Sequence, residues 1–247
     1  MSSYSTIDVV HEGAVDWLTL NRPDRLNALD GAMVRELWDY FSKLQSDYSR
    51  RVVIMRGAGK AFCAGLDLVW FKSSKDGMPR GATDEGPGPS LAEIIVKMRS
   101  CPQAIVSLVH GAACGGGFSF VLASDIRIAG RSAKMNVAFV KLGLSGCELG
   151  TSYFLPRLVG SALAAELMMT GRFIHADRAL AAGLVSEVVD DDRLEDAARS
   201  LIGDLLATSP VGLRKTKETA RAAAGTDDLA AVIALEERTQ IACMQAS

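Results

Sequence analysis

Residues 104–118 read AIVSLVHGAACGGGF, an apolar run followed by a turn that contains three consecutive glycines. Ala104–Val109 is typical of a buried β-strand, and Phe118–Ala123 is typical of a helix that begins directly after the glycines. Consecutive glycines let a ligand or a neighbouring backbone come very close. The start of the helix offers free N–H groups and partial positive charge. This turn therefore suits an anion or a developing oxyanion.

A second turn of the same kind follows the short apolar strand at residues 52–55. Residues 61–68 read AFCAGLDL. A strand that ends in a glycine-containing turn leaves backbone N–H groups unpaired, and Gly65 allows a backbone geometry that a β-branched residue could not adopt. Asp67 can cap the helix that follows. A well-made strand-to-helix turn without a chemical role would have the same sequence, so both interpretations stay open for this segment alone.

Other classes of function are disfavoured by composition and motif spacing. No Gly-Lys-Ser/Thr follows the glycines and no G-x-G-x-x-G is present, which argues against a phosphate loop and a dinucleotide site. The net charge is −2 with no basic stripe, which argues against nucleic acid. The five cysteines are scattered without C-x-x-C, which favours reduced thiols and no metal site. With no signal sequence and no membrane-length apolar run, we expect a cytoplasmic protein.

Working outward, the chain alternates short strands and helices up to about residue 195 and is helical beyond it. The predicted elements are strands within 7–20, a helix at 31–48, a strand at 52–55, a helix at 90–99, a strand at 125–129, helices at 161–170 and 177–182, and a strand at 185–189. The Gly- and Pro-rich segment Asp76–Ser90 is predicted to be a long loop, either a lid or disordered. We expect a mixed α/β core at 1–195 and a helical region at 196–247.

A series of short motifs carries a resemblance that spans nearly the whole chain. The motifs are Asn21-Arg22-Pro23, Asn27-Ala28-Leu29, Ala61–Leu68, Gly111 with Gly115-Gly116-Gly117, Ser124-Asp125, Leu142-Gly143, Leu158-Val159-Gly160, Thr170-Gly171-Arg172, Ala179-Leu180 and Gly183-Leu184-Val185. In order and spacing they resemble the crotonase (enoyl-CoA hydratase/isomerase) superfamily. The resemblance implies an α/β fold, a spiral of ββα units, with a C-terminal helical region that builds trimers, often paired into hexamers.

The resemblance also implies a chemistry. The substrates are acyl-CoA thioesters, and the backbone N–H groups of Leu66 and Gly116 form an oxyanion hole for a thioester enolate. Preorganised donors of this kind are each worth about 3 kcal/mol in comparable enzymes. CoA is part of the substrate, so no separate cofactor is expected.

The same resemblance indicates where the CoA nucleotide is held. The residues concerned are Arg25, Leu26, Ala64, Gly65 and Asp67. It further implies a last helix beyond Cys243 that helps to close the CoA site, whereas this sequence stops at Ser247.

At two positions the sequence departs from the family pattern. Hydratases of the family carry one glutamate two residues after the triple glycine and a second four residues before the Leu-Gly glycine. Ser119 and Phe139 occupy these positions here. Addition of water needs a base for the water and an acid for the acyl carbon, and neither side chain supplies them.

Glu148 is the carboxylate that remains, in the stretch just before Gly150-Thr151. Other members of the superfamily, dienoyl-CoA isomerase among them, have an acidic residue in this stretch that moves a proton along the acyl chain. The apolar neighbours Cys147, Leu149 and Phe154 would raise the pKa of a buried carboxyl group here. Two structural roles compete with proton transfer: a cap for the helix at 151–159, or an ion pair with Arg157.

The remaining reactive side chains receive structural interpretations. His110 is expected to be a structural hydrogen-bonder, and Cys63 and Cys114 are expected to be small packing residues. A single carboxylate favours double-bond isomerisation over hydration. Two alternatives stay open: a hydrolase of a CoA thioester or 1,3-dicarbonyl, with Glu148 or His110 activating water, and a non-catalytic acyl-CoA binder.

Overall fold

The computed structural model describes residues 4–73 and 88–246. Its strands are β1 (Ile7–Glu12), β2 (Val15–Leu20), β3 (Val52–Gly57), β4 (Ala104–Val109), β5 (Ala112–Cys114), β6 (Ile126–Gly130), β7 (Lys134–Asn136), β8 (Ile174–His175) and β9 (Glu187–Val189). Its helices are α1 (Gly31–Leu44), α2 (Leu68–Ser73), α3 (Leu91–Ser100), α4 (Gly116–Ala123), α5 (Thr151–Thr170), α6 (Ala176–Ala181), α7 (Leu194–Ala207), α8 (Pro210–Ala223) and α9 (Leu229–Gln245). Most of the predicted loop at Asp76–Ser90 lies outside the described residues.

The strands form a large and a small sheet. The large sheet has the order β1-β2-β3-β4-β6-β9, and every neighbouring pair is parallel except the β1–β2 hairpin. The small sheet has the order β5-β7-β8. A strand of the large sheet is followed by a strand of the small sheet and then by a helix, as in β4, β5 and α4. Repetition of this unit produces a spiral of ββα units.

Both faces of the large sheet are covered. Side chains alternate along each strand, so Val53 and Met55 pack into the main core with α1, α3 and α4, while Val52 and Ile54 face the other way. On that second face they meet Leu194 and other residues of α7. The sheet therefore lies between a large helical layer and a single covering helix.

Helix α1 shows how local sequence sets the boundaries of an element. The Asp30 carboxylate accepts a hydrogen bond from the Met33 N–H at 2.9 Å and so caps the N-terminus of the helix. The helix ends at Leu44, four residues before the predicted end. Gln45 terminates it, because its side-chain amide donates to the carbonyls of Phe41 and Lys97 at 3.0 Å each.

Helix α5 spans the two helices predicted at 151–159 and 161–170, and both are confirmed. It runs from Thr151 but is interrupted at Gly160, where φ is 76° and ψ is 162°. It is thus two consecutive helices joined at a glycine. In the described ranges 4–73 and 88–246, no helix is long and apolar enough to cross a bilayer.

Candidate functional site

The two glycine-containing turns lie side by side. The Phe62 N–H donates to the His110 carbonyl at 2.9 Å, and the Cys63 N–H donates to the Ala112 carbonyl at 3.0 Å. The Cys114 N–H returns a bond of 2.9 Å to the Cys63 carbonyl, which completes a parallel bridge. Two segments almost 50 residues apart in the sequence therefore form one structural unit.

Glycine allows this close approach at two positions. Gly65 has a φ of +90°, and a Cβ atom there would lie 2.6 Å from the Cys114 carbonyl oxygen. A Cβ atom on Gly117 would collide with the carbonyl oxygen of Cys63. Any larger residue at either position would push the turns apart.

Two backbone donors in these turns stay unused. The Leu66 and Gly116 N–H groups donate no hydrogen bond within the described residues. On either side of Leu66, the Gly65 carbonyl and the Asp67 N–H both bond to Leu29, at 2.7 and 3.0 Å. The N–H of Leu66 consequently points away from Leu29, toward the side on which the second turn lies. Gly116 is the first residue of α4, where an N–H has no acceptor in the helix.

Apolar side chains surround Gly116. A Cβ atom there would lie 2.8 Å from Leu29 Cδ1, 3.6 Å from Leu149 Cδ1 and 3.7 Å from Leu91 Cδ1. Such surroundings exclude water and lower the local dielectric constant. A hydrogen bond to a developing negative charge is correspondingly stronger here than in water.

The segments expected to hold CoA are also brought together. The Ala64 N–H donates to the Leu26 carbonyl at 2.9 Å, which places residues 64–67 beside residues 25–29. Arg25 and Leu26 are exposed at this junction. The structure thus gathers Arg25, Leu26, Ala64, Gly65 and Asp67 on one edge of the paired turns.

The Asp67 carboxylate is occupied by structural contacts. It accepts hydrogen bonds from the N–H groups of Val69 and Trp70 at 3.1 and 3.2 Å, so the predicted helix cap is confirmed. It also pairs with Arg22 at 3.1 Å, and Arg22 in turn pairs with Asp30 at 3.0 Å. Burial alone would raise the pKa of Asp67, but the hydrogen bonds from Trp70 and Arg22 lower it overall.

Asn27 is a site residue that sequence reasoning did not single out. It is fully buried, and its side-chain amide donates to the carbonyls of Ala58, Ala61 and Phe62 at 2.9, 2.8 and 3.2 Å. Asn27 thereby holds in place the residues that lead into the first turn. The motif Asn27-Ala28-Leu29 was the available signal, but no local pattern reveals acceptors more than 30 residues away.

The two positions without glutamate border the glycine turn. Ser119 is buried and its hydroxyl donates to the Gly115 carbonyl at 3.3 Å. The Phe139 ring lies 3.4 Å from the place where a Cβ of Gly115 would be. Side chains at both positions are therefore next to the candidate oxyanion site, and neither can exchange a proton with a substrate at neutral pH.

Glu148 is half-buried and held through its backbone. Its N–H donates to Thr151 Oγ1 at 3.1 Å, and the same hydroxyl donates to its carbonyl at 2.9 Å. The cap residue of α5 is Gly150, with no side-chain cap. Arg157 instead donates to the Tyr153 carbonyl and stacks on the Tyr153 ring at 4.0 Å. Neither structural role predicted for Glu148 is present, and its carboxylate has no hydrogen bond or ion pair among the described residues.

The remaining candidates have structural roles. Burial raises the pKa of Cys63 to about 12 and also raises the pKa of Cys114, so neither thiol is an activated nucleophile. His110 makes the expected structural contact, with Nε2 2.9 Å from the Gly59 carbonyl. Within residues 4–73 and 88–246, no group of three or more His, Cys, Asp or Glu could hold a metal ion.

A spiral of ββα units with two paired turns that present free N–H donors is the crotonase fold. The sequence pattern of the enoyl-CoA hydratase/isomerase family matches residues 11–247. The chain belongs to this family.

Its relatives carry both hydratase and isomerase names. The chain is 37% identical over 202 residues to a Mycobacterium leprae protein named probable enoyl-CoA hydratase echA12, covering 81% of this chain and 69% of that protein. It is 36% identical over 207 residues to the human mitochondrial delta(3,5)-delta(2,4)-dienoyl-CoA isomerase, covering 80% and 62%. The crystal structure of enoyl-CoA hydratase from Bacillus anthracis matches with a TM-score of 0.87 at 29% identity, covering 98% of this chain and 92% of that one.

Proposed function

We propose that this protein shifts a double bond in an acyl-CoA thioester. The N–H groups of Leu66 and Gly116 donate hydrogen bonds to the negatively charged oxygen of the thioester enolate, and Glu148 transfers the proton. CoA lies along Arg25, Leu26 and the backbone of residues 64–67. No separate cofactor takes part, because CoA belongs to the substrate.

The carboxylate of Glu148 carries the proposal. It is half-buried, it has no partner among the described residues, and the next residue, Leu149, contacts Gly116. A carboxylate without a structural partner among the described residues is available for proton transfer, and its neighbour in the sequence lies beside Gly116.

Among the residues that the structure describes, Glu148 is the one carboxylate to which the proposal assigns proton transfer. Glu148 takes a proton from a carbon of the acyl chain, and the electron pair moves to the thioester oxygen between the two N–H groups. The protonated Glu148 then returns the proton to a different carbon, and the double bond has moved. Hydration would require a further group to activate water, and Ser119 and Phe139 stand where the family's glutamates would do so.

The test is turnover of a panel of enoyl-CoA thioesters with the double bond at C2, at C3 or as a conjugated diene. Wild type is expected to isomerise, and Glu148→Gln to lose about 10²- to 10⁴-fold in kcat, the usual contribution of a general acid-base. The exposed Glu187→Gln serves as a matched control with unchanged activity.

Three results would contradict the proposal. Efficient hydration of C2 enoyl-CoA by both wild type and Glu148→Gln would mean that another group activates water. Release of free thiol would identify a hydrolase. Binding of acyl-CoA without any turnover would identify a non-catalytic binder.

We also propose that the chain assembles as a homotrimer or a pair of trimers. The C-terminal hairpin of α8 and α9 buries no residue of α9 in the monomer. Leu229, Ile233, Ile241 and Met244 are exposed along it, with Leu229 70% exposed. An apolar patch of this kind is typical of a subunit interface. Light scattering of the purified protein tests the assembly, and a monomeric mass at micromolar concentration would contradict it.

A further inference from the structure

An open cavity of about 390 Å³ lies between α3, the residues that follow Glu148, and α8. Its apolar walls include Ile95, Val96 and Phe154, and two cations, Arg99 and Arg221, also line it. An apolar cleft with a cationic border binds a molecule that has an apolar body and an anionic end.

The cavity and the candidate oxyanion site have one side chain in common, Leu149. This side chain lines the cavity and also lies next to Gly116. Leu91, a further neighbour of Gly116, directly precedes Ala92, which begins the wall formed by α3. An acyl chain whose thioester lies at Gly116 would therefore extend past Leu149 into this space.

The positive charge lies at the C-terminal end of α3, away from Ala92. Ala92 and Arg99 are seven residues apart on α3, which corresponds to roughly 10 Å along the helix axis. The end near Gly116 is apolar, and the end near Arg99 and Arg221 is cationic. The cavity thus distinguishes the reacting end of a substrate from its distal end.

A second cavity of about 480 Å³ continues beyond Arg99 and Arg221, and it is strongly basic. Its described charged residues are Arg99, Arg127, Arg157, Lys217 and Arg221, with Asp125 as the carboxylate among them. Arg99 and Lys217 share Asp125, at 3.1 and 2.8 Å. The positive charge in this region therefore exceeds the negative charge.

Arg221 has the largest unused capacity for an anion. Its guanidinium makes one long hydrogen bond, 3.5 Å to the Arg99 carbonyl, and no ion pair among the described residues. A guanidinium presents two parallel N–H donors that match the two oxygens of a carboxylate. Arg99 already pairs with Asp125, whereas a hydrocarbon end placed here would leave the Arg221 guanidinium without a counter-ion among the described residues.

We propose that the substrates are acyl-CoA thioesters with a carboxylate at the distal end of the acyl chain, bound by Arg221 beside Arg99. This inference rests on the proposed function, because it places the thioester at Leu66 and Gly116. It adds the class of acyl group that the site selects.

The experiment compares pairs of medium-chain enoyl-CoA thioesters of equal length, one with a distal carboxylate and one with a distal methyl group. Wild type is expected to prefer the carboxylate by about two- to fivefold in kcat/KM, the usual gain for an ion pair with an exposed side chain. Arg221→Gln is expected to remove most of this preference, and Arg221→Lys to restore part of it.

Arg214→Gln is the matched control. Arg214 lies on the same helix but stacks on Tyr48 and lines a different cavity, so its loss should leave the preference unchanged. Calorimetric binding of the saturated analogues, with and without the distal carboxylate, gives a readout that does not depend on turnover. The preference should also fall as ionic strength rises.

The outcomes separate this inference from the proposed function. Isomerisation of both thioesters at equal kcat/KM, with equal affinity of the saturated pair, overturns the inference and leaves the function intact. A loss of affinity for CoA itself in Arg221→Gln would assign the cations to the CoA phosphates and also overturn it. Absence of isomerisation with every thioester overturns the function, while the calorimetric comparison still decides whether the distal carboxylate is recognised.

Discussion

The paired turns at 61–67 and 110–117 and the exposed tip of the loop at 142–150 differ in how closely the chain is packed. The turns are joined by backbone hydrogen bonds and by glycines that leave no room for a side chain. At the tip, nothing lies within 4 Å of a Cβ placed on Gly143, whereas further along the loop a Cβ on Gly146 would collide with the Met168 carbonyl and one on Gly150 with the Phe154 ring. The candidate oxyanion donors are therefore held by tightly packed main chain, and only the tip of the loop that carries Glu148 has space for a further side chain.

The difference in packing between the two regions is tested most strongly by replacing one glycine in each region with alanine. Gly65 and Gly143 both have positive φ values, +90° and +77°, so alanine at either adds backbone strain of about 1–2 kcal/mol. At Gly65 the new Cβ also collides with the Cys114 carbonyl, which adds about 1–3 kcal/mol. Urea denaturation should show a clearly larger loss of unfolding free energy for Gly65→Ala. Equal losses of unfolding free energy would mean that the turns are not more tightly packed than the tip of the loop at Gly143.

The pH dependence of stability tests how much the charged Asp67 side chain stabilises the first turn. Its pKa is lowered in the folded protein, so its contribution to stability is present above the unfolded value of about 3.9 and is lost as pH falls through the folded pKa. Asp67→Asn should lose about 1 kcal/mol at neutral pH, and the difference from wild type should shrink below about pH 4. The exposed Asp204→Asn is the control. A difference that is constant down to about pH 2 would contradict the ion-pair account.

Each region also contains a cysteine, and the difference in how the two react with a thiol reagent is the smallest of the three expected effects. Burial raises the pKa of Cys63 to about 12, whereas Cys147 lies on the exposed loop beside Glu148. A thiol reagent at about pH 8 should label Cys147 in the native protein and leave Cys63 unlabelled until unfolding. Mass spectrometry after brief labelling locates the modified residue, and native labelling of Cys63 would show that the first turn opens readily.

The sequence predicted those features that depend on neighbouring residues. The Asp67 cap, the strands within 7–20 and the strand at Ala104–Val109 all depend on residues close together in the sequence, and the structure has each of them. The order of the glycine motifs also identified the family, because their spacing reflects the repeating ββα unit. Local chemistry and motif order were thus sufficient for the fold.

The contacts that position the site could not be predicted from the sequence. Arg22 pairs with Asp67, 45 residues further on. The three acceptors of Asn27 lie 31 to 35 residues away. Glu148 was a candidate for a helix cap, and only the three-dimensional arrangement shows that its carboxylate has no structural partner in the described chain. Long-range pairing of this kind depends on the completed fold and leaves no local pattern.

The two free donors belong to the main chain, and this has a genetic consequence. Every amino acid except proline carries the same N–H group. A missense change at codon 66 therefore deletes that donor only if it encodes proline, while any other replacement changes the side chain and keeps the N–H group. A substitution at this position can thus change the shape of the candidate site without removing the backbone donor.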